Sequence, residues 1–132
     1  MTTLNKFYSD VVLGKTASGD LGYSVSEADV TWATGMTTGA LLEGTDAAGY
    51  TWAAAASIAS VTGILIDSRA LGYDETLVAA TDYTMVVAKR GMTVNLNYLA
   101  FSDATGATAA VAAQLETLGI KATSKVVGNQ PA

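Results

Sequence analysis

The chain contains no cysteine and no histidine, and its single proline is Pro131. Without cysteine there are no disulfides, no thiolate nucleophiles and no cysteine-based zinc sites, and the redox compartment is left undetermined. Without histidine the most usual general base and the commonest metal ligand are missing, so a Ser-His-Asp triad cannot be assembled. Charge is sparse too: seven basic and twelve acidic residues, net −5, are scattered rather than blocked. Phosphate backbones call for clustered Lys and Arg, so nucleic acid is not an expected partner. Long apolar runs are also lacking. The longest, Tyr50 to Ile66, is rich in Ala and broken by Thr, Ser and Gly, short of the roughly 20 apolar residues that span a bilayer. Met1 to Lys15 has no apolar core followed by a small-residue cleavage site, so no signal peptide is expected. The chain reads as soluble, with no membrane partner.

Half of the 132 residues are apolar. That length fits one domain, of a size that buries roughly two-thirds of its unfolded surface. Much of the apolar share is Ala and Gly, however, and large side chains are few. Burial against further copies of the same chain would add to stability.

Residues 1–20 differ from the rest. Met1 to Lys6 is polar, Phe7 to Leu13 is a short apolar burst, and Gly14 to Asp20 is a turn-rich linker. Phe7, Tyr8, Val11, Val12 and Leu13 favour extended structure, so this front segment reads either as a frayed terminus or as a docking strand. Beyond it, Tyr23 to Trp32 alternates as a strand does, and Gly35 and Gly39 bracket a turn. Ala40 to Glu43 opens another strand, and Gly44 to Gly49 reads as the loop of a hairpin with the run that starts at Tyr50. Ser57 to Val61 is ambiguous. Gly63 to Asp67 is a continuous apolar run, the pattern of a strand covered on both faces.

Ser68 to Thr81 is a polar connection, and Thr84 to Lys89 a strand. Arg90-Gly91 makes a turn or bulge, after which Met92, Val94 and Leu96 alternate. The one well-patterned helix runs from about Thr108 to Leu118, with Val111, Leu115 and Leu118 on one face. Thr105 is a plausible N-cap and Thr108 an alternative. Gly119 stands where a left-handed residue closes a helix, and Ile120 where its hydrophobic contact falls. Lys121 to Val127 completes the pattern as a last strand. The expected fold is a small single domain, mainly β with one C-terminal helix: an arm at 1–20 and a body at 21–132.

No constellation of reactive side chains emerges. Asp74-Glu75 lies in a loop, where adjacent carboxylates are ordinarily solvated. Glu27 and Asp29 share one side of an extended segment and could cap a turn beside Ser24 and Ser26. Asp67, Asp74 and Asp82 are too widely spaced for a calcium loop. Gly14 to Gly22 lacks the spacing and the strand-to-helix context of a phosphate loop. Lys89-Arg90, the sole basic pair, suits a turn or an acidic partner. Trp32 and Trp52 suit the core or a subunit interface better than a ligand-stacking role. Neither enzyme, metal nor cofactor is expected.

The order of motifs resembles the bacteriophage head decoration family, that of the phage lambda capsid-stabilising protein. The matching phrases run YSDVVL, GYSVSEADVTWATG, GALLEG, GILIDS, TMVVAKRGMTVN, NYLAF and AAVAAQLETLGIK, from Phe7 to about Val126. The chain departs from relatives in having only Pro131 where they carry Pro near the loop before the helix, and Lys121 and Lys125 where they place Arg.

The resemblance implies a compact β-clip or β-tulip-like decoration fold that forms homotrimers. These sit at three-fold and quasi-three-fold positions on the outer surface of the expanded head, made in the host cytoplasm and carried on the virion. There they cement the major capsid protein against the pressure of packaged DNA. It also implies that the front arm grips the capsid, with Thr3, Leu4, Phe7, Tyr8, Val11, Val12 and Leu13 as its contacts. Two alternatives stand beside it: another small β virion component of the tail tube or head completion, and a carbohydrate-binding surface module using Trp32, Trp52 and Tyr50.

Overall fold

The computed structural model describes residues 12–15, 25–66 and 77–124. Eight strands are described: β1 (Val12–Lys15), β2 (Val25–Thr31), β3 (Leu41–Thr45), β4 (Gly49–Trp52), β5 (Val61–Leu65), β6 (Asp82–Ala88), β7 (Met92–Asn95) and β8 (Ile120–Thr123). One α-helix, α1 (Ala109–Thr117), and 3-10 turns at Ala55–Ser60 and Leu96–Tyr98 complete the described elements. The protein is a small single domain, mainly β with one helix.

Strands β2, β4, β3, β5 and β6 close into a barrel in that order, and β1, β7 and β8 form a separate three-stranded sheet. The hairpin read from Gly44 to Gly49 is present: β3 and β4 pair antiparallel from Leu42–Trp52 to Thr45–Gly49. Closure comes from β2, which runs antiparallel to β6 over seven residue pairs and parallel to β4 through Val30 and Tyr50.

Alternation of side chains along the barrel strands separates two cores. Ala28, Val30, Leu42, Tyr50, Leu65, Met85 and Val87 fill the barrel interior. Leu41, Val61, Ile64, Ile66 and Ala88 face outward instead, meeting Val12 of β1, Met92 and Val94 of β7, Val111 and Leu115 of α1, and Ile120 of β8. That division explains the apolar run from Gly63: Ile64 and Ile66 belong to the outer core and Leu65 to the inner. Gly63 allows the barrel to be this narrow. A Cβ there would stand 2.7 Å from Val87 Cγ1 and 3.5 Å from the Tyr50 ring.

Several expected boundaries move. The ambiguous stretch at Ser57 becomes a 3-10 turn, and β5 begins at Val61. Leu96 leaves the strand pattern for the 3-10 turn, because the Asn95 side chain accepts a hydrogen bond from the Asn97 amide and ends β7. The helix is capped by Thr108, whose Oγ1 accepts from the Val111 amide at 3.2 Å. Thr105, the first expectation for the cap, instead accepts from the Ala107 amide at 3.2 Å, inside the loop before the helix. Val111 and Leu115 are buried and Leu118 packs against the same core. Gly119 has φ +81°, the left-handed conformation that ends a helix without a Cβ penalty. The connection through α1 brings β8 back parallel to β7, from Met92–Ile120 to Asn95–Thr123.

Candidate functional site

Among the described residues, two places gather polar or exposed groups. The first is a polar cluster at the β3–β4 hairpin loop. Asp46 accepts hydrogen bonds from Ser26 Oγ of β2 at 3.0 Å, Tyr50 Oη of β4 at 2.7 Å and Lys89 Nζ after β6 at 2.7 Å. The Lys89 ammonium holds the Asp46 carboxyl below the usual carboxylate value, with the Tyr50 and Ser26 donors adding to it and partial burial opposing. Burial pushes the Tyr50 phenol well up, and the facing Asp46 carboxylate raises it further. Tyr50 therefore stays protonated and donating. An open cleft of about 640 Å³ lies beside the cluster, between Gly44, Thr62 and Arg90 and the helix end at Thr117 and Leu118.

The arrangement clamps a loop. Asp46 is satisfied by donors from β2, from β4 and from the residue after β6, and among the described residues no second carboxylate lines the cleft. Among the described residues no group of three or more acidic side chains could hold a metal. Sequence reasoning passed over Asp46 because it lies in an ordinary turn signal. The Lys89-Arg90 pair suits either a turn or an acidic partner, and Lys89 meets an acid, Asp46. Glu27 and Asp29 cap no turn: both stand in β2, where Asp29 accepts from Thr84 Oγ1 on β6, directly opposite, at 3.2 Å.

The second place is one end of the three-stranded sheet. Antiparallel pairing sets Val12 of β1 opposite Val94 of β7, and parallel pairing sets Thr123 of β8 opposite Asn95. Val12 and Thr123 therefore stand at the same end of β7, two strand spacings, about 10 Å, apart. Between them sits the Leu96–Tyr98 turn, tied to the end of β8 by Asn97 Nδ2 donating to the Ser124 carbonyl at 3.4 Å.

A family model described as the bacteriophage PhiTE minor capsid decoration protein matches residues 1–132, the whole chain. The protein belongs to that phage capsid decoration family. No curated protein and no solved structure matches it. As a decoration protein it associates with the phage capsid and is a structural component of the virion.

Of the seven residues expected to form the capsid-gripping arm, Thr3, Leu4, Phe7, Tyr8 and Val11 lie outside the described residues. Val12 and Leu13 stand in β1, where Val12 pairs with Val94 of β7 and is buried in the outer core, and Leu13 falls at the register shift between Val12 and Gly14. The front segment is thus held to the body through β1, Val12–Lys15. The aromatic groups of the carbohydrate alternative are engaged inside the decoration protein. Tyr50 is buried and bonded to Asp46, and Trp52 is half-buried with Nε1 donating to the Ala100 carbonyl at 2.9 Å. Trp32 is half-buried against the barrel core.

Proposed function

We propose that this decoration protein is a non-enzymatic cement. It docks as a homotrimer on the outer surface of the expanded head, at three-fold and quasi-three-fold positions, and stiffens the shell against packaged DNA. The observation that carries the reading is the family match along the entire chain. Residues 1–11, with Thr3, Leu4, Phe7, Tyr8 and Val11, serve as the arm that grips the major capsid protein, and β1 serves as its anchor in the body. The physics is strand addition, in which an extended segment pairs with an exposed sheet edge and main-chain hydrogen bonds supply affinity. Three arms on one trimer make each later contact intramolecular, so individually weak arms sum to firm attachment.

The placement of Val12 and Thr123 at one end of the small sheet is consistent with this reading. The test adds purified protein to expanded heads of the cognate phage prepared without it. Saturable binding with raised resistance to heat and chelators is expected, and neither would occur were the reading wrong. Deleting residues 2–10 preserves Val12 and β1, so that variant is expected to melt like the parent and to lose attachment. Normal attachment by the truncated protein would remove the arm from the mechanism.

A further inference from the structure

The barrel is not closed equally well all round. Among the described residues β2 meets β6 over seven residue pairs and β3 meets β4 over four, but β2 and β4 share one, Val30 with Tyr50. The β5–β6 line is also short, Ile64–Ala88 and Leu65–Val87, yet it is covered on both faces. Leu65 and Val87 lie in the inner core, Ile64 and Ala88 in the outer. The β2–β4 seam has cover on one face only: Val30 and Tyr50 are buried inside the barrel, while Glu27, Asp29 and Thr51 are exposed. Short pairing with solvent on one face marks strands that open locally at low cost.

Away from Val30, a side chain holds the seam. Ser26 lies in β2 where no β4 residue pairs with it, and its Oγ donates to Asp46 Oδ1 at 3.0 Å. The same oxygen accepts from Tyr50 Oη of β4 at 2.7 Å, and Oδ2 accepts from Lys89 Nζ at 2.7 Å. Asp46 thus ties β2 to the β3–β4 hairpin, and both to the residue after β6. Lys89 and Tyr50 are the titratable groups bonded to it. From β2 it meets only a hydroxyl, Arg90 lines the same cleft, and the helix end brings Thr117 and Leu118, which do not titrate. The Asp46 side chain is 42% exposed, so bulk pH reaches it. Bonds to an ionised acceptor are roughly twice as strong as neutral ones, so losing the charge weakens all three ties together.

We propose that the β2–β4 seam is a built-in opening line of the barrel and Asp46 its latch: the two strands part locally while the β2–β6 ladder, the β3–β4 hairpin and the outer core stay folded, and loss of the Asp46 charge raises the share of the parted form. Parting leaves β2 and β4 as open sheet edges. The Asp46 carboxyl is held below its ordinary value in the folded state, so the latch is closed at neutral pH and loosens as pH falls below about 4.

The experiment measures amide hydrogen exchange residue by residue at pH 7 in the full-length parent, in Asp46→Asn and in Thr108→Ala. Asp46→Asn keeps the side-chain shape and an acceptor but not the charge. Thr108→Ala weakens the helix cap, which is intact whether the seam is closed or parted. Amides of β2 and β4 directed at the seam are expected to lose about tenfold in protection in Asp46→Asn. In Thr108→Ala the seam amides should stay within about twofold of the parent, while β2 and β6 amides of the shared ladder, which exchange by global unfolding, lose about fivefold. Should Asp46→Asn fail to fold, the parent decides: its seam amides, corrected for the intrinsic effect of pH, must lose protection between pH 4 and pH 3. Seam amides that follow the ladder amides in Thr108→Ala exchange only by global unfolding, and that result overturns the proposal. So does seam protection that neither Asp46→Asn nor acid lowers.

Discussion

Replacing Asp46 by alanine tests whether the polar cluster clamps the hairpin loop to the barrel. The substitution leaves three donors without their acceptor: Tyr50 Oη, Lys89 Nζ and Ser26 Oγ. Tyr50 is buried at 3% exposure, and depriving a buried hydroxyl of its acceptor costs about 1–2 kcal/mol. The Asp46–Lys89 pair is wetter, with the Asp46 side chain 42% exposed, so solvent screening holds its share to under about 1 kcal/mol. The exposed Ser26 adds little. The sum is about 2 kcal/mol, or a drop in melting temperature of roughly 8 °C for a domain of this size.

The pH dependence follows from the directions of the two shifts. The Asp46 carboxyl is held below its ordinary value in the folded state, so its contribution is complete above the unfolded pKa and fades as pH falls below about 4. The Tyr50 phenol is raised, so its contribution is complete below about pH 10 and fades as pH rises beyond that. Urea unfolding of the parent and of Asp46→Ala from pH 7 down to pH 3 measures both magnitude and trend. The gap between the proteins should be about 2 kcal/mol at pH 7 and narrow toward acid. A gap under 0.5 kcal/mol at neutral pH, on the scale of an ordinary surface change, would refute the clamp. A gap undiminished at pH 3 would refute the assignment to the ionised carboxylate.

Two further substitutions probe how the fold is built. Thr108→Ala removes the acceptor of the Val111 amide and should cost about 1 kcal/mol in denaturant melts; Thr105→Ala, outside the helix, should cost well under half of that. Gly63→Ala forces a Cβ against Val87 Cγ1 and within 3.3 Å of the Ala88 carbonyl, so a loss of about 1–3 kcal/mol is expected by the same measurement.

Much of the fold could be read before the structure was known, because the signals involved are short-ranged. The β3–β4 hairpin, the helix with Val111 and Leu115 inward, and Gly119 as its terminator each depend on residues within one or two turns of one another. The choice between Thr105 and Thr108 as cap could not be read, since both are threonines before the same helix. What decides is the path of the preceding loop, where Gly106 N donates to the Leu99 carbonyl. The segment ending at Leu13 was legible as strand-forming, but not that Val12 would be drawn into the body's own sheet.

The candidate sites divide in the same way. Lys89-Arg90 could be read as suiting a turn or an acid. Which acid depended on bringing together residues 43 apart for Lys89 and 20 apart for Ser26.

By itself, then, the sequence determined that cysteine and histidine chemistry are missing, the β character of its segments and the place where its helix stops. These follow from residue types and near neighbours. Only the tertiary structure decided that five strands close into a barrel, that β8 returns parallel to β7, and that Val12 and Thr123 come to the same end of β7. The physical reason is that strand partners are chosen by which buried faces can share a core, a competition among distant segments that no local pattern records.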